Sequence, residues 1–206
     1  MLKNTKQLCN PATAFIAGVV FGVLGGLLII NYAFEEDSQY LTADPYDTEY
    51  HVHADFHIVI NDTLVNLDDD MFQTTSEQTL HPDAHLHDNN SDVKHIHAEE
   101  ITFAEFLGSL SIQLTNDCIT LDNKYCADEA NQLTMYVNDE VYVSDISSYI
   151  PDDNDRILVH FGANDTDLEV IQSLLDAVPD DSCYYSGTCP ERGIAPDESC
   201  GLTCEL

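Results

Sequence analysis

The chain has 206 residues, a hydrophobic fraction of 44% and a formal net charge of −32 at pH 7, a composition that suits one packed domain with appendages and excludes wholesale disorder. All 38 acidic residues follow Phe34, where only Lys94, Lys124, Arg156 and Arg192 oppose them. A surface of that sign repels phosphate backbones and anionic lipid headgroups, so nucleic acid is excluded as a partner.

Residues 1–11 carry Lys3 and Lys6 and no acid. From Ala12 to Ile30 run 19 residues without a charge, which as a helix would cross roughly 28 Å, the depth of a bilayer core. Glu35, Glu36 and Asp37 follow. The positive-inside rule then predicts a cytoplasmic N-terminus over 1–11, a single transmembrane anchor over 12–33 that is the chain's contact with the cell membrane, and an extracytoplasmic remainder. The apolar run is longer than that of a cleaved signal peptide, and Asn31-Tyr32-Ala33 is a poor cleavage site. Residues 34–50, acidic and rich in tyrosine, read as a spacer.

Residues 51–178 read as one domain. Val52, Ala54, Phe56, Ile58 and Ile60 alternate with His51, His53, Asp55 and His57, the two-residue period of a strand with one apolar face. Asn61-Asp62 supplies a turn and Thr63–Leu67 a returning strand. A second hairpin is predicted from Ala84 to Ala98, with its tip over Asp88–Asp92. Thr102 and Glu105 make a capping box for a helix striped by Phe103, Phe106, Leu107 and Leu110. Strands follow near 112–120, 132–138 and 156–161, with a turn at Asn138-Asp139. A last helix starts at Thr166, with Glu169 as its capping partner, and stops at Pro179. This order predicts an α+β fold with a mostly antiparallel sheet of hairpins and one or two packed helices, the β-grasp arrangement being one candidate.

Eight of the nine histidines lie between 51 and 97, and six form three His-x-His pairs: His51/His53, His85/His87 and His95/His97. On a strand such pairs share a face about 6.7 Å apart, so both imidazoles can lean onto one ion. In the second hairpin, pairing His95 with either His85 or His87 gives an even sum of residue numbers, which sets all four histidines on one face, whereas an odd sum would separate them. His85, His87, His95 and His97 are therefore the first metal-ligand candidates. His51 and His53 join them or form a second site, and His57 and His81 are extra candidates. Asp55, Asp88 and Glu99 are available to orient the rings. An imidazole donor set suits zinc or copper(II), and with only Met1, Met71 and Met135 a thioether copper(I) site is disfavoured. The alternative is a set of solvated histidines that titrate near neutrality, in a surface module that senses pH. His160, opposite in parity to Ile157 and Val159, reads as structural or exposed.

His85-Leu-His-Asp88 followed by His95, then Ile101-Thr-Phe-Ala-Glu-Phe-Leu107, resembles a family of membrane-anchored extracytoplasmic domains with an L-H-T-H-D…G-V-I-H motif and a T-L-G-D-F-F-like helix. Leu133–Glu140 and Asp155–Gly162 look like that family's closing strands, so the resemblance covers residues 51–162. Leu86 stands where the motif has Thr, Lys94 where it has Ile, and His97 is additional. The resemblance implies an architecture rather than an activity. Some relatives carry a disulfide-isomerase label, which directs attention to the cysteines.

Cys9 precedes the anchor, and Cys118, Cys126, Cys183, Cys189, Cys200 and Cys204 follow it. An even number in an oxidising compartment implies up to three disulfides. Cys118 and Cys126 flank a short loop and are expected to pair, while residues 179–206 read as a tail stapled by the other four. A thiol–disulfide exchange enzyme ordinarily presents C-x-x-C at a helix N-terminus, and none occurs; Cys200/Cys204 is the remaining redox candidate. No metalloprotease helix, nucleophile elbow or phosphate loop is present either. The acidic residues are spread as on a surface adapted to high salt, and the runs Asp68–Asp70 and Asp152–Asp155 lack the central Gly and closing Glu of a calcium loop.

Overall fold

Strand β1 (Val52–Ile60) lies in the middle of the main sheet of the computed structural model, which describes residues 50–75 and 77–194. The expected cytoplasmic segment, the anchor over 12–33, the spacer up to residue 49, Cys200 and Cys204 lie outside the described residues. Among the described residues, no helix is long and apolar enough to cross a membrane.

The alternation in β1 separates two faces. Asn61 and Asp62 both take positive φ (48° and 63°), the backbone of a tight hairpin turn, and the chain returns as β2 (Thr63–Leu64) against Val59 and Ile60. The returning strand is shorter than the expected Thr63–Leu67, with one further bond from the Val65 N–H to the Ile58 carbonyl. The second hairpin forms from β3 (Ala84–His85) and β4 (Val93–Ile96), with Asp88 and Asn89 at positive φ in its tip. His85 faces His95 across it, the even-sum register. Strand β4 in turn pairs antiparallel with β1, His95 opposite His53.

Thr102 accepts from the Glu105 N–H and Glu105 reaches back to the Thr102 N–H, so helix α1 (Phe103–Ser109) starts on a complete capping box. The strand expected near 112–120 is broken by a turn in which the Thr115 N–H donates to the Cys118 carbonyl and the Cys118 N–H donates to the Thr115 hydroxyl. It becomes β5 (Gln113–Leu114) and β6 (Cys118–Thr120), which with β7 (Lys124–Cys126) make a separate three-stranded sheet. Strands β8 (Asn131–Val137) and β9 (Glu140–Val141) turn at Asn138-Asp139. Strand β10 (Asp155–Ala163) then runs parallel to β1 and antiparallel to β8. The spatial order is β3-β4-β1-β10-β8-β9, and β1/β10 is the one parallel pair in it. Helix α2 (Leu168–Ala177) is capped by Asp167, which accepts from the Glu169 N–H; Thr166, the expected cap, instead donates its hydroxyl to the Ala163 carbonyl.

Ala54, Phe56 and Ile58 pack with Ile157 and Val159 under Phe103, Phe106 and Leu107 of α1, which forms the larger core. On the opposite face Val59 and Leu158 pack against Ile171, Leu175 and Val178 of the α2 segment. Lys94 points into the larger core from β4. It is fully buried, with its ammonium 5.0 Å from the Phe106 ring centre and 5.3 Å from that of Phe103. Burial pushes this amine down to about 7, against the opposing pull of Asp155.

Candidate metal centre

Because β3, β4 and β1 are neighbours in that order, the His85–His95 and His95–His53 registers set three imidazoles in one row across three strands. The period of two adds His51, His97 and His87 to the same face. Five of the six are buried and His51 is exposed. Ring centres stand 4.6 Å apart for His51–His53, 4.6 Å for His53–His95 and 4.5 Å for His51–His97. On the other side of β4 the directly opposed pair His85–His95 is wider, at 6.4 Å, with 5.6 Å for His85–His87, 3.8 Å for His87–His95 and 5.0 Å for His85–His97. His51, His53 and His95 each offer a ring nitrogen within 4.8 Å of the others, a set that could hold a metal ion.

Hydrogen bonds at the far side of three rings decide which nitrogen faces the cluster. His85 Nδ1 lies 3.1 Å from the His81 carbonyl and His87 Nδ1 lies 2.8 Å from an Asp88 carboxylate oxygen. Both partners are acceptors, so Nδ1 carries a hydrogen in each ring and Nε2 is the nitrogen left for the cluster. His53 Nδ1 lies 2.8 Å from Ser186 Oγ, whose one hydrogen goes to Asp153 Oδ1 at 2.5 Å. His53 therefore donates from Nδ1 as well, and Asp153 also accepts its backbone N–H at 3.0 Å. Imidazole N–H pinned by a carboxylate, a carbonyl or a hydroxyl is the usual support of a metal-ligating histidine. The Nε2 atoms of His85 and His87 are buried and make no hydrogen bond among the described residues. Burial and the neighbouring imidazoles push His85 down to about 4, against the His81 carbonyl, so it is neutral near pH 7 and its lone pair is available.

A cover lies over this face. Helix α3 (Ser182–Tyr185) brings the Tyr185 ring to 5.8 Å from His53 and 5.5 Å from His95, and Asn90 donates to the Tyr185 hydroxyl at 3.2 Å. Asp55, buried on β1, anchors the cover by accepting the N–H groups of Asp181 and Ser182, each at 3.0 Å, and the Ser182 hydroxyl at 2.5 Å. Burial pushes the Asp55 carboxyl up, and these donors oppose the shift. A disulfide between Cys183 and Cys189 closes the loop that carries Tyr185 and Ser186.

Of the carboxylates expected to orient the rings, Asp88 does so, whereas Asp55 holds the cover instead. The two extra ligand candidates turn elsewhere. His57 Nε2 is 3.4 Å from Asp92, and His81 uses its carbonyl on His85 and its Nδ1 on the Asp83 N–H at 3.1 Å. His160 is fully buried on β10, where burial lowers its pKa. Gly162 makes room for it, since a Cβ there would meet the His160 ring at 2.7 Å. Cys118 and Cys126 are bonded across β6 and β7. Ser186, Asp153, Tyr185 and Asn90 are neighbours of the cluster and its cover that no spacing in the sequence announces. Ser186 is 133 positions from the ring it touches, and the only local hint is the short loop that Cys183 and Cys189 enclose.

Comparison of the chain with protein-family models, curated proteins and solved structures finds no match. Its class therefore rests on the fold and the site: an α+β domain whose three-strand edge carries a histidine cluster able to hold a metal ion.

Proposed function

We propose that this protein is a transition-metal-binding module held outside the cell by the helix over 12–33, and that it captures or buffers zinc or copper(II). The observation that carries the reading is the convergence of His51, His53 and His95, with ring nitrogens within 4.8 Å, backed by the Asp153–Ser186–His53 chain. A set of three imidazole ligands leaves a coordination position open for exchange or for an incoming ligand. His51, the exposed member, stands where an ion would enter. The two disulfides support an oxidising compartment, and the charge of −32 draws cations toward the domain. With the first and last strands parallel at the centre and α1 across one face, we read the architecture as β-grasp-like and as that of the anchored family described above.

Elemental analysis of the full chain purified without added metal tests the proposal. Zinc or copper retained at one equivalent or more is expected, as is its loss in the double variant His51→Asn/His95→Asn. A wild-type chain that retains no transition metal and binds none on titration overturns it.

A further inference from the structure

The cover over the cluster is closed by a bond that chemistry can break and remake. Asp55 pins the start of the cover through the N–H groups of Asp181 and Ser182. Past Ser182 the chain reverses through Gly187, at φ 66°, and is closed by the Cys183–Cys189 disulfide. Both groups that meet the candidate ligands lie inside this ring. Tyr185 stands over His53 and His95, and Ser186 takes the Nδ1 hydrogen of His53. The Cys118–Cys126 bond, by contrast, lies in the small sheet. The two sulfurs of the cover differ: Cys183 is half-buried and Cys189 is buried. Arg192 stands at the more open one, with Nη1 3.7 Å from Cys183 Sγ, and is itself fixed by the Asp181 carboxylate and the Asp180 carbonyl. A guanidinium beside a sulfur favours the thiolate and so eases thiol–disulfide exchange there; the Asp181 carboxylate on the same guanidinium moderates the effect.

We infer that the Cys183–Cys189 disulfide is a redox gate on the metal site. Closed, it holds Tyr185 and Ser186 against His53 and His95; opened by a dithiol donor, it frees them and weakens the hold on the ion. The inference rests on the metal reading of His51, His53 and His95 and adds regulation to it. The exchange balances in two steps. A thiolate of the donor bonds to Cys183 Sγ, and the Sγ–Sγ bond breaks with its electron pair leaving on Cys189. The donor's second thiol gives up its proton and bonds to the donor sulfur held on Cys183, which leaves as a thiolate facing Arg192. The donor ends as a disulfide, oxidised by two electrons, and its two protons pass to solvent or to the two cysteines. Asp55 still holds Asp181 and Ser182, so the opened loop stays tethered beside the cluster and recloses on reoxidation.

The test is the zinc affinity of the full chain, read in competition with a chromophoric chelator. It is measured in the disulfide-bonded state, after treatment with dithiothreitol and anaerobic desalting, and after reoxidation. Alkylation and mass spectrometry of the freed thiols report which bond has opened. Opening Cys183–Cys189 is expected to weaken binding by about 10–100-fold, and reoxidation to restore it. Cys118→Ser/Cys126→Ser should respond as the wild type does. Cys183→Ser/Cys189→Ser should show the weakened affinity with or without the dithiol, which separates the gate from ligation by freed thiols. A cover disulfide that resists the dithiol in the folded chain, or an affinity unchanged or raised once it is open, overturns the gate while the metal site stands. A chain that binds no zinc in any state removes the metal reading itself.

Discussion

His53 and His95 face each other from β1 and β4 with their rings at a right angle and their centres 4.6 Å apart, and the Tyr185 ring closes over both. The pairing puts the best-supported ligand set at the junction of three segments distant in sequence. The sheet supplies the candidate ligands, and the loop closed by Cys183 and Cys189 brings Ser186 to the Nδ1 of one of them. Single substitutions separate those contributions.

Replacing His95 with Asn removes the ring that stands between the β1 and β3 pairs. Retained metal should fall by at least tenfold, whereas the far-UV circular dichroism of the metal-free protein should be unchanged, because His95 lies on the face opposite the Phe56–Phe103–Phe106 core. Unfolding of the variant in metal-free buffer checks that the loss is of ligation rather than of fold.

Ser186→Ala leaves the His53 ring in place but frees its Nδ1 from the chain to Asp153. Metal affinity should weaken by about 10–100-fold, read in competition with a chelator, while the stoichiometry at saturation stays the same. An affinity equal to that of the wild type would mean that Ser186 does not set the tautomer.

The two disulfides should behave differently. Breaking Cys118–Cys126 by Cys118→Ser opens a short loop in the small sheet and should cost about 2.5 kcal/mol of stability with no effect on metal affinity. Breaking Cys183–Cys189 by Cys183→Ser should lower metal affinity as well, since Tyr185 and Ser186 lose their closure. Paired denaturant and chelator titrations resolve the two effects.

Lys94 gives the fold a pH dependence separate from that of the metal. Its amine is held near 7 in the fold against 10.5 in the unfolded chain, so between those values the unfolded chain holds a proton that the native state has released. Stability should therefore rise with pH above 7, by about 1.4 kcal/mol per unit from this group, and be lowest below 7. Lys94→Met should remove that slope and stabilise the protein at pH 6 by about 1–3 kcal/mol, measured by urea unfolding of the metal-free chain at pH 6 and pH 8.5.

Much of the site was legible because strand parity is a local property. His-x-His pairs fix a face, and the even-sum register His85↔His95 sets the histidines of both arms of the hairpin on the same one. The capping box at Thr102 and the turns at Asn61-Asp62 and Asn138-Asp139 were local in the same sense. What the sequence did not disclose is long-range. The parallel union of β1 with β10 joins residues about a hundred positions apart, and nothing in either strand specifies its partner. That docking brings Asp153 beside His53, and the cover then brings Ser186 and Tyr185, none of which has a spacing signal. The cap of α2 shifted from Thr166 to Asp167 because two adjacent residues could each cap and one hydroxyl found the Ala163 carbonyl.

X-ray absorption at the metal edge of the natively loaded protein reports the donor set most directly. A zinc or copper edge with a first shell of nitrogen at about 2.0–2.1 Å and the multiple scattering of at least three imidazoles is the predicted result. A shell dominated by sulfur or by carboxylate oxygen, with no imidazole scattering, would place the ion elsewhere in the chain and contradict the assignment to these histidines.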